Sequence, residues 1–294
     1  MALATEAAAT RKARLRDAYS WCRDYARAHQ ENFTVVSWVL PRELRPHFWS
    51  LYSFCRWTDD LGDEAKGDRL ALLNDWERSL IRCYEGIRDE PLFVALGRTI
   101  DRFRIPPDPF LKLIEANRRD QEITRFPTFD ALLDYCSYSA TPVGRMVLYV
   151  LGYRDEERQR LSDETCIGLQ LANFWQDVSV DWTKGRVYLP QEDLARFGVA
   201  EADIAAGVAT GPSRRLLEFE VRRTQGYFDR GRALERLVSR KARADVRLFR
   251  LGGEAVLKAI RAHEFDVLSQ RPTIAKQRKA WMGLESAFRV KLGF

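Results

Sequence analysis

The 294-residue chain carries 48 Lys and Arg against 42 Asp and Glu, a formal charge of +6. Its basic residues are scattered among acids and leucines, around Arg214, Arg215, Arg222 and Arg223 for example, which reads as solvated helix faces and argues against a nucleic-acid partner. The length allows one large domain or two modest ones with ample material for a core, and no apolar run is long enough to span a bilayer.

Residues 1–14 begin Ala-rich, contain Glu6 and lack a sustained apolar segment, so they are expected to be frayed and not a secretory signal. From Leu15 the chain reads as helix after helix. Residues 15–30 carry Tyr19, Trp21, Cys22 and Tyr25, and Pro41 marks the start of a second helix. That helix runs through Phe48, Trp49, Tyr52 and Phe54 into FCRWTDDLGDE. Here Asp59 and Asp63 are four apart, as are Asp60 and Glu64, so each pair projects from one helical face although like charges at that spacing repel. Residues 70–84 and 92–103 repeat apolar positions at helical spacing, and Pro106, Pro107 and Pro109 precede a helix over 110–120. Residues 129–150 are apolar and aromatic, with Pro142 and Gly144 expected to kink or break them.

Ser162 or Asp163 can cap a central helix that contains QLANFWQDVSVD, residues 170–181. Gln170, Asn173, Asp177 and Asp181 are spaced three, four and four apart, so they line one face. Leu171, Ala172, Phe174, Trp175, Val178 and Val180 fill the rest. A surface helix has the opposite pattern. This one is predicted to be buried, with a narrow polar stripe whose carboxylates need cations. An irregular loop over 182–190 follows, with Lys184, Arg186 and Tyr188, and helices are expected over 214–237, 242–268 and 273–292. No strand alternation, repeat or low-complexity linker interrupts them. The expectation is a single all-α domain over 15–294.

Two acidic helical faces in a net-positive chain suggest a shared cation site. Carboxylate oxygens without His or Cys suit hard ions, and Mg²⁺ held by carboxylates together with substrate phosphate is the usual case. No Walker-type loop or dinucleotide fingerprint is present. His29, His47 and His263 are too dispersed to form a metal set. The cysteines, Cys22, Cys55, Cys83, Cys136 and Cys166, form no CxxC pair and read as free thiols of a reducing compartment.

These residues resemble the squalene/phytoene synthases over most of the chain, from about His29 to the C-terminal helices. The family's two aspartate-rich motifs match Asp59-xxx-Asp63 and Asn173-xxx-Asp177-xxx-Asp181. Asp120, Arg125, Phe126 and Tyr135-Cys136 leading to Val143-Gly144 follow its middle motif, and Arg186 and Tyr188 match its loop after the second acidic motif. Within the family the hydroxysqualene synthases of hopanoid biosynthesis are most similar, through HQENF at 29–33, LPRELRPH at 40–47, SATPVGR at 139–145 and NFWQDV at 173–178. Squalene and phytoene synthases tend to have a Ser-Lys-Ser-like segment at Gln30, Glu31 and Asn32, an Arg at Gln176 and Ala-Gly at Thr141-Pro142. The missing Lys and Arg remove positive charge from the half-reaction that holds two farnesyl diphosphates together.

The resemblance implies an isoprenoid synthase-type helical bundle with a central cavity. It implies a carbon–oxygen lyase that converts presqualene diphosphate to hydroxysqualene. Squalene, presqualene diphosphate or phytoene synthesis from two prenyl diphosphates is the alternative, and a non-catalytic assembly protein of the same fold a further one. On this reading Asp59, Asp63, Asn173, Asp177 and Asp181 hold Mg²⁺, while Arg56, His29, Gln170, Gln176, Arg186 and Tyr188 bind substrate. Asp60 and Glu64 support the ligands, Tyr135 faces the cavity for proton transfer, and no NADPH is expected. Without the resemblance, a core tyrosine is the stronger reading of Tyr135. A cytoplasmic protein in peripheral contact with the inner membrane and with other squalene-pathway enzymes fits so apolar a substrate.

Overall fold

The structure, a computed structural model, describes residues 2–29 and 40–273, with backbone alone for 2–9 and 11. These residues form fourteen α-helices and no strand. The first seven are α1 (Ala2–Ala28), α2 (Arg45–Asp63), α3 (Arg69–Tyr84), α4 (Pro91–Phe103), α5 (Asp108–Arg119), α6 (Phe129–Ser139) and α7 (Thr141–Leu151). Then come α8 (Glu156–Gln176), α9 (Val178–Thr183), α10 (Gln191–Phe197), α11 (Glu201–Ala206), α12 (Gly211–Gly231), α13 (Leu234–Leu237) and α14 (Arg240–Ala262). Gln30, Glu31 and Asn32, and the helix expected over 273–292 beyond Thr273, lie outside the described residues.

Helix starts follow local chemistry. Asp68, Thr128 and Asp155 each accept an N–H three residues on, at 2.9, 3.1 and 3.1 Å, satisfying donors that the first turn leaves without partners. The cap of α8 is therefore Asp155 and not the expected Ser162 or Asp163, which lie inside the helix. Proline opens α4 at Pro91, where its missing N–H costs nothing. Pro142 likewise sits in the first turn of α7, so the expected break falls just before it, at Ala140. Helix α1 starts at Ala2, upstream of the expected Leu15. On its Arg14 turn the guanidinium donates to the carbonyls of Arg88 and Asp89, at 2.6 and 3.1 Å. Sequence periodicity also missed the short α10 and α11, and it merged α12 with α13.

The helices pack as two compact units, and the chain passes between them more than once. One draws on residues within Met1–Gln121 and Arg145–Arg154, the other on Glu122–Gly144 and Asp155–Phe294. In the first, Phe54, Leu73, Trp76, Leu96, Phe110, Ile114 and Met146 form the core, with Phe54 stacked on Trp76 and edge-on to Phe110. In the second, α8, α12 and α14 pack together. Gly168 allows the close approach of α8 and α12, because a Cβ there would lie 2.8 Å from the Phe228 ring. Burial of large side chains such as Trp175, Phe228 and Leu257 contributes ~2 kcal/mol each. The five cysteines are free thiols, buried or half-buried. No described helix is long and apolar enough to cross a membrane.

Candidate active site

In the first unit, Asp59, Asp63 and the neighbouring acids lie on the last turns of α2. Asp59 is solvent-accessible, although surrounding protein desolvates its carboxyl. That desolvation, with the charges of Asp63 and Asp120, pushes its carboxyl up to about 7, against the lowering effects of an Asn117 hydrogen bond and of Arg56. Asn117, on α5, donates from Nδ2 to Asp59 Oδ1 at 3.3 Å and to Leu113 O at 3.1 Å. It fits because residue 62 is glycine: a Cβ there would overlap Asn117 Oδ1.

Asp60 is committed elsewhere. It accepts from Tyr25 OH at 2.5 Å and pairs with Arg56 at 2.7 Å. Arg56 also reaches Glu64 at 2.9 Å, so here this guanidinium bridges the two flanking acids. His29 stacks on Tyr25 and approaches its carbonyl through Nδ1 at 2.9 Å, while Tyr52 OH donates to the His29 carbonyl at 2.6 Å.

In the second unit the expected inverted pattern is present except at Val180, which is 38% exposed and not buried. Gln170, Asn173, Asp177 and Asp181 are half-buried, while Leu171, Ala172, Phe174, Trp175, Gln176 and Val178 are buried. The stripe is not one helix, because α8 ends at Gln176 and α9 begins at Val178, with Asp177 between them at φ −105° and ψ 13°. The register survives the junction. Asp177 N–H donates to Asn173 O at 2.9 Å and Asp181 N–H to Asp177 O at 2.8 Å, so the three polar residues stay one turn apart. Trp175 anchors this segment to α12 through its indole N–H on Thr224 Oγ1, at 2.7 Å.

Two side chains at the α8–α9 junction are engaged by the segment after α14. Arg271 grips Asp177 in a two-point pair, Nε to Oδ1 at 2.5 Å and Nη2 to Oδ2 at 3.0 Å. Gln176 is buried and donates Nε2–H to Pro272 O at 2.6 Å. Its amide thus faces this backbone, off the Asn173–Asp177–Asp181 stripe.

Four rings close another part of the unit. Tyr188 stacks on Phe174 with centroids 3.8 Å apart and planes 9° apart. Tyr135 lies 5.3 Å from Phe126, 6.0 Å from Tyr188 and 6.2 Å from Phe174. All four are buried, so they form a dry aromatic wall. The 182–190 loop is held by the 124–127 segment: Val187 N–H donates to Thr124 O and Gln191 N–H to Phe126 O, both at 2.9 Å. Arg125 donates to Gly185 O at 2.7 Å and grips Glu201 at 2.6 and 2.9 Å. Half-buried Arg186 donates its backbone N–H to Asp181 O at 2.9 Å.

The donor set suits a hard divalent cation. It consists of carboxylate and amide oxygens, and Asp63 and Asp120 add negative charge around Asp59. Among the described residues, no three His, Cys, Asp or Glu side chains converge to hold an ion by themselves. A cation that keeps waters and borrows phosphate oxygens needs only one or two carboxylates. Sequence reasoning missed Asn117, Arg271 and the Phe126–Phe174 part of the wall. Asn117 was findable, one turn before Asp120 on a predicted helix; Arg271 had no local signal.

The squalene/phytoene synthase model matches residues 26–278. The 15-cis-phytoene synthase of Synechococcus elongatus is 32% identical over 91% of each chain. Phytoene synthase 1 of Zea mays is 31% identical over 90% of this chain and 67% of its own. Among solved structures, the squalene synthase HpnC of Alicyclobacillus acidocaldarius is 50% identical with a TM-score of 0.83, covering 86% of this chain and 96% of that one. A dehydrosqualene synthase with bound ligand, 24% identical over 94% of this chain and 98% of its own, shares the fold at a TM-score of 0.87. With the family model matching most of its length and an all-α isoprenoid synthase fold, the chain belongs to the squalene/phytoene synthase family.

Proposed function

We propose that the protein converts presqualene diphosphate and water to hydroxysqualene with release of diphosphate, as a carbon–oxygen lyase of hopanoid biosynthesis. The 50% identity to the structure described as squalene synthase HpnC supports C30 prenyl diphosphate chemistry, and the resemblance to hydroxysqualene synthases at 139–145 and 173–178 carries the choice of product. The departures at Gln176 and Thr141-Pro142 point the same way.

The chemical barrier is charge separation as the carbon–diphosphate bond ionises. Asp59, Asp63, Asn173, Asp177 and Asp181 would hold Mg²⁺, which supplies Lewis-acid neutralisation of the leaving diphosphate. Arg186, and Arg56 once it leaves its bridge between Asp60 and Glu64, add charge-assisted hydrogen bonds to its oxygens. The buried rings of Phe126, Tyr135, Phe174 and Tyr188 offer π density to the cyclopropylcarbinyl cation while it rearranges and its three-membered ring opens, and they exclude bulk water. The alcohol then arises from one held water, which gives its oxygen to the cation and loses a proton. Tyr135, Tyr138 and Asn173 are the side chains for that task, since Gln176 is spent on Pro272. No reductant takes part.

A second reading has a specific support: the 32% identity to a phytoene synthase favours synthesis of presqualene diphosphate, squalene or phytoene from two prenyl diphosphates. The two separate in one experiment. Purified protein receives presqualene diphosphate or farnesyl diphosphate, without NADPH, in ¹⁸O-labelled water. A labelled C30 alcohol from presqualene diphosphate supports the first reading. Unlabelled alcohol, no alcohol, or a strict need for NADPH removes it, and products from farnesyl diphosphate establish the second.

A further inference from the structure

Far from both acidic motifs in sequence, α12 buries a compact charged cluster against α10. Arg223 Nη1 donates to Asp193 Oδ2 at 2.8 Å and approaches Glu220 Oε1 at 3.3 Å. Asp193 and Glu220 are 2% and 0% exposed. The guanidinium also lies 4.0 Å from the Phe129 ring centroid and 4.4 Å from that of Phe219. A guanidinium only 22% exposed, held between two rings and the acids Asp193 and Glu220, is a rigid joint, because contacts on several sides fix its planar fork.

This joint holds the elements that carry the aromatic wall. Phe129 opens α6, which bears Tyr135, and its N–H donates to Glu192 Oε1 at 2.7 Å. Asp193 lies in the first turn of α10, directly after the loop that bears Tyr188. We propose that Arg223, clamped by Asp193 and Glu220, is a positioning residue that keeps the Tyr188 loop and the Tyr135 helix in register. Only its bearing on turnover rests on the function proposed above.

The clamp has a built-in pH limit. The charged groups facing Glu220 are Arg223 on its own helix and Asp193 and Glu192 on α10. Burial is the largest influence on the Glu220 carboxyl and, with those acids, pushes it up to about 8 against the pull of Arg223. At neutral pH Glu220 keeps its proton and is hydrogen-bonded to Asp193. Above pH 8 its ionisation sets two buried carboxylates against one guanidinium, which loosens the joint.

Hydrogen exchange read by mass spectrometry tests this on the whole chain without substrate. In Arg223→Gln, residues 185–191 should exchange at least tenfold faster at pH 7, with the α8 segment 156–170 unchanged and Arg223→Lys intermediate. Exchange of 185–191 within twofold of wild type in a folded Arg223→Gln protein overturns the proposal. Should Arg223→Gln not fold, Glu220→Gln decides: after correction for intrinsic rates, wild-type 185–191 should loosen between pH 7 and 9 while Glu220→Gln does not. Parallel loosening of the two also overturns it. With presqualene diphosphate, Arg223→Lys should lower kcat and leave KM unchanged. Loosened exchange in a protein whose wild type shows no turnover would leave the clamp standing and remove the functional reading alone.

Discussion

Arg271 contacts both carboxylate oxygens of Asp177, at 2.5 and 3.0 Å, so an ion arriving at Asp177 competes with a guanidinium for the carboxylate. The pair is partly open to solvent, 39% and 24% for the two side chains, which limits its worth to ~1 kcal/mol. Arg271→Gln should therefore bind Mn²⁺, used as a probe for Mg²⁺, about fivefold more tightly without substrate. Equal affinity by titration calorimetry would mean that Asp177 is not where the metal competes.

Loss of the carboxylate itself has the opposite consequence. Asp177→Ala or Asp181→Ala should lower turnover roughly a thousandfold or more, since charge neutralisation by a bound metal is worth several kcal/mol in the transition state. Far-UV circular dichroism should stay unchanged, because backbone N–H groups and not these side chains carry the α8–α9 register. Near-normal turnover of Asp177→Ala in Mg²⁺ would leave only a structural role for the residue.

What was legible in the sequence followed from local periodicity. The inverted pattern of 170–181 announced a buried helix with a polar stripe, and the half-buried Asn173, Asp177 and Asp181 among buried neighbours match it. The break at Asp177 was not legible, because i,i+4 spacing continues across it. The partners were hidden for another reason. Arg271 meets Asp177 across 94 positions and Asn117 meets Asp59 across 58, and only tertiary packing sets such contacts. Gln176 shows the same limit: its amide was a candidate for substrate until the Pro272 carbonyl claimed it.

Gly62 and Asn117 control the charge state of Asp59. A Cβ at residue 62 overlaps Asn117 Oδ1, so Gly62→Ala should displace Asn117 and destabilise by about 1–3 kcal/mol. The lost hydrogen bond is one that lowers the Asp59 carboxyl, so its protonation range should move upward in Gly62→Ala and in Asn117→Ala. The sign follows from linkage. Between the ordinary value of 3.8 and about 7, the folded chain keeps a proton that the unfolded chain has released. Stability from this group therefore falls as pH rises through that window and levels off above it. Metal-free Asp59→Asn should lack this slope and be the more stable protein at pH 8. Urea midpoints that run parallel in wild type and Asp59→Asn from pH 4 to 8 would contradict it.

The acid side is governed by His47, 3% exposed in the first unit. Arg102 Nη1 lies 3.3 Å from Nε2 and can only donate, so Nε2 is the bare nitrogen and Nδ1 carries the hydrogen. Nδ1–H then has Thr99 Oγ1 at 2.9 Å and Tyr19 OH at 3.2 Å as acceptors. Burial, with Arg102 and Arg98, pushes the imidazole down to about 4. Between that value and the ordinary 6.5 the unfolded chain binds a proton that the folded chain refuses, so stability rises with pH across this window and is lost as pH falls through it. At ~1.4 kcal/mol per pH unit the effect reaches on the order of 3 kcal/mol. His47→Gln keeps a donor and an acceptor near Thr99 and Arg102 but cannot titrate. It should lower stability at pH 7 through imperfect packing while flattening the loss between pH 6.5 and 4. Denaturant midpoints across that range decide the matter: an acid limb as steep in His47→Gln as in wild type would assign the loss to other groups.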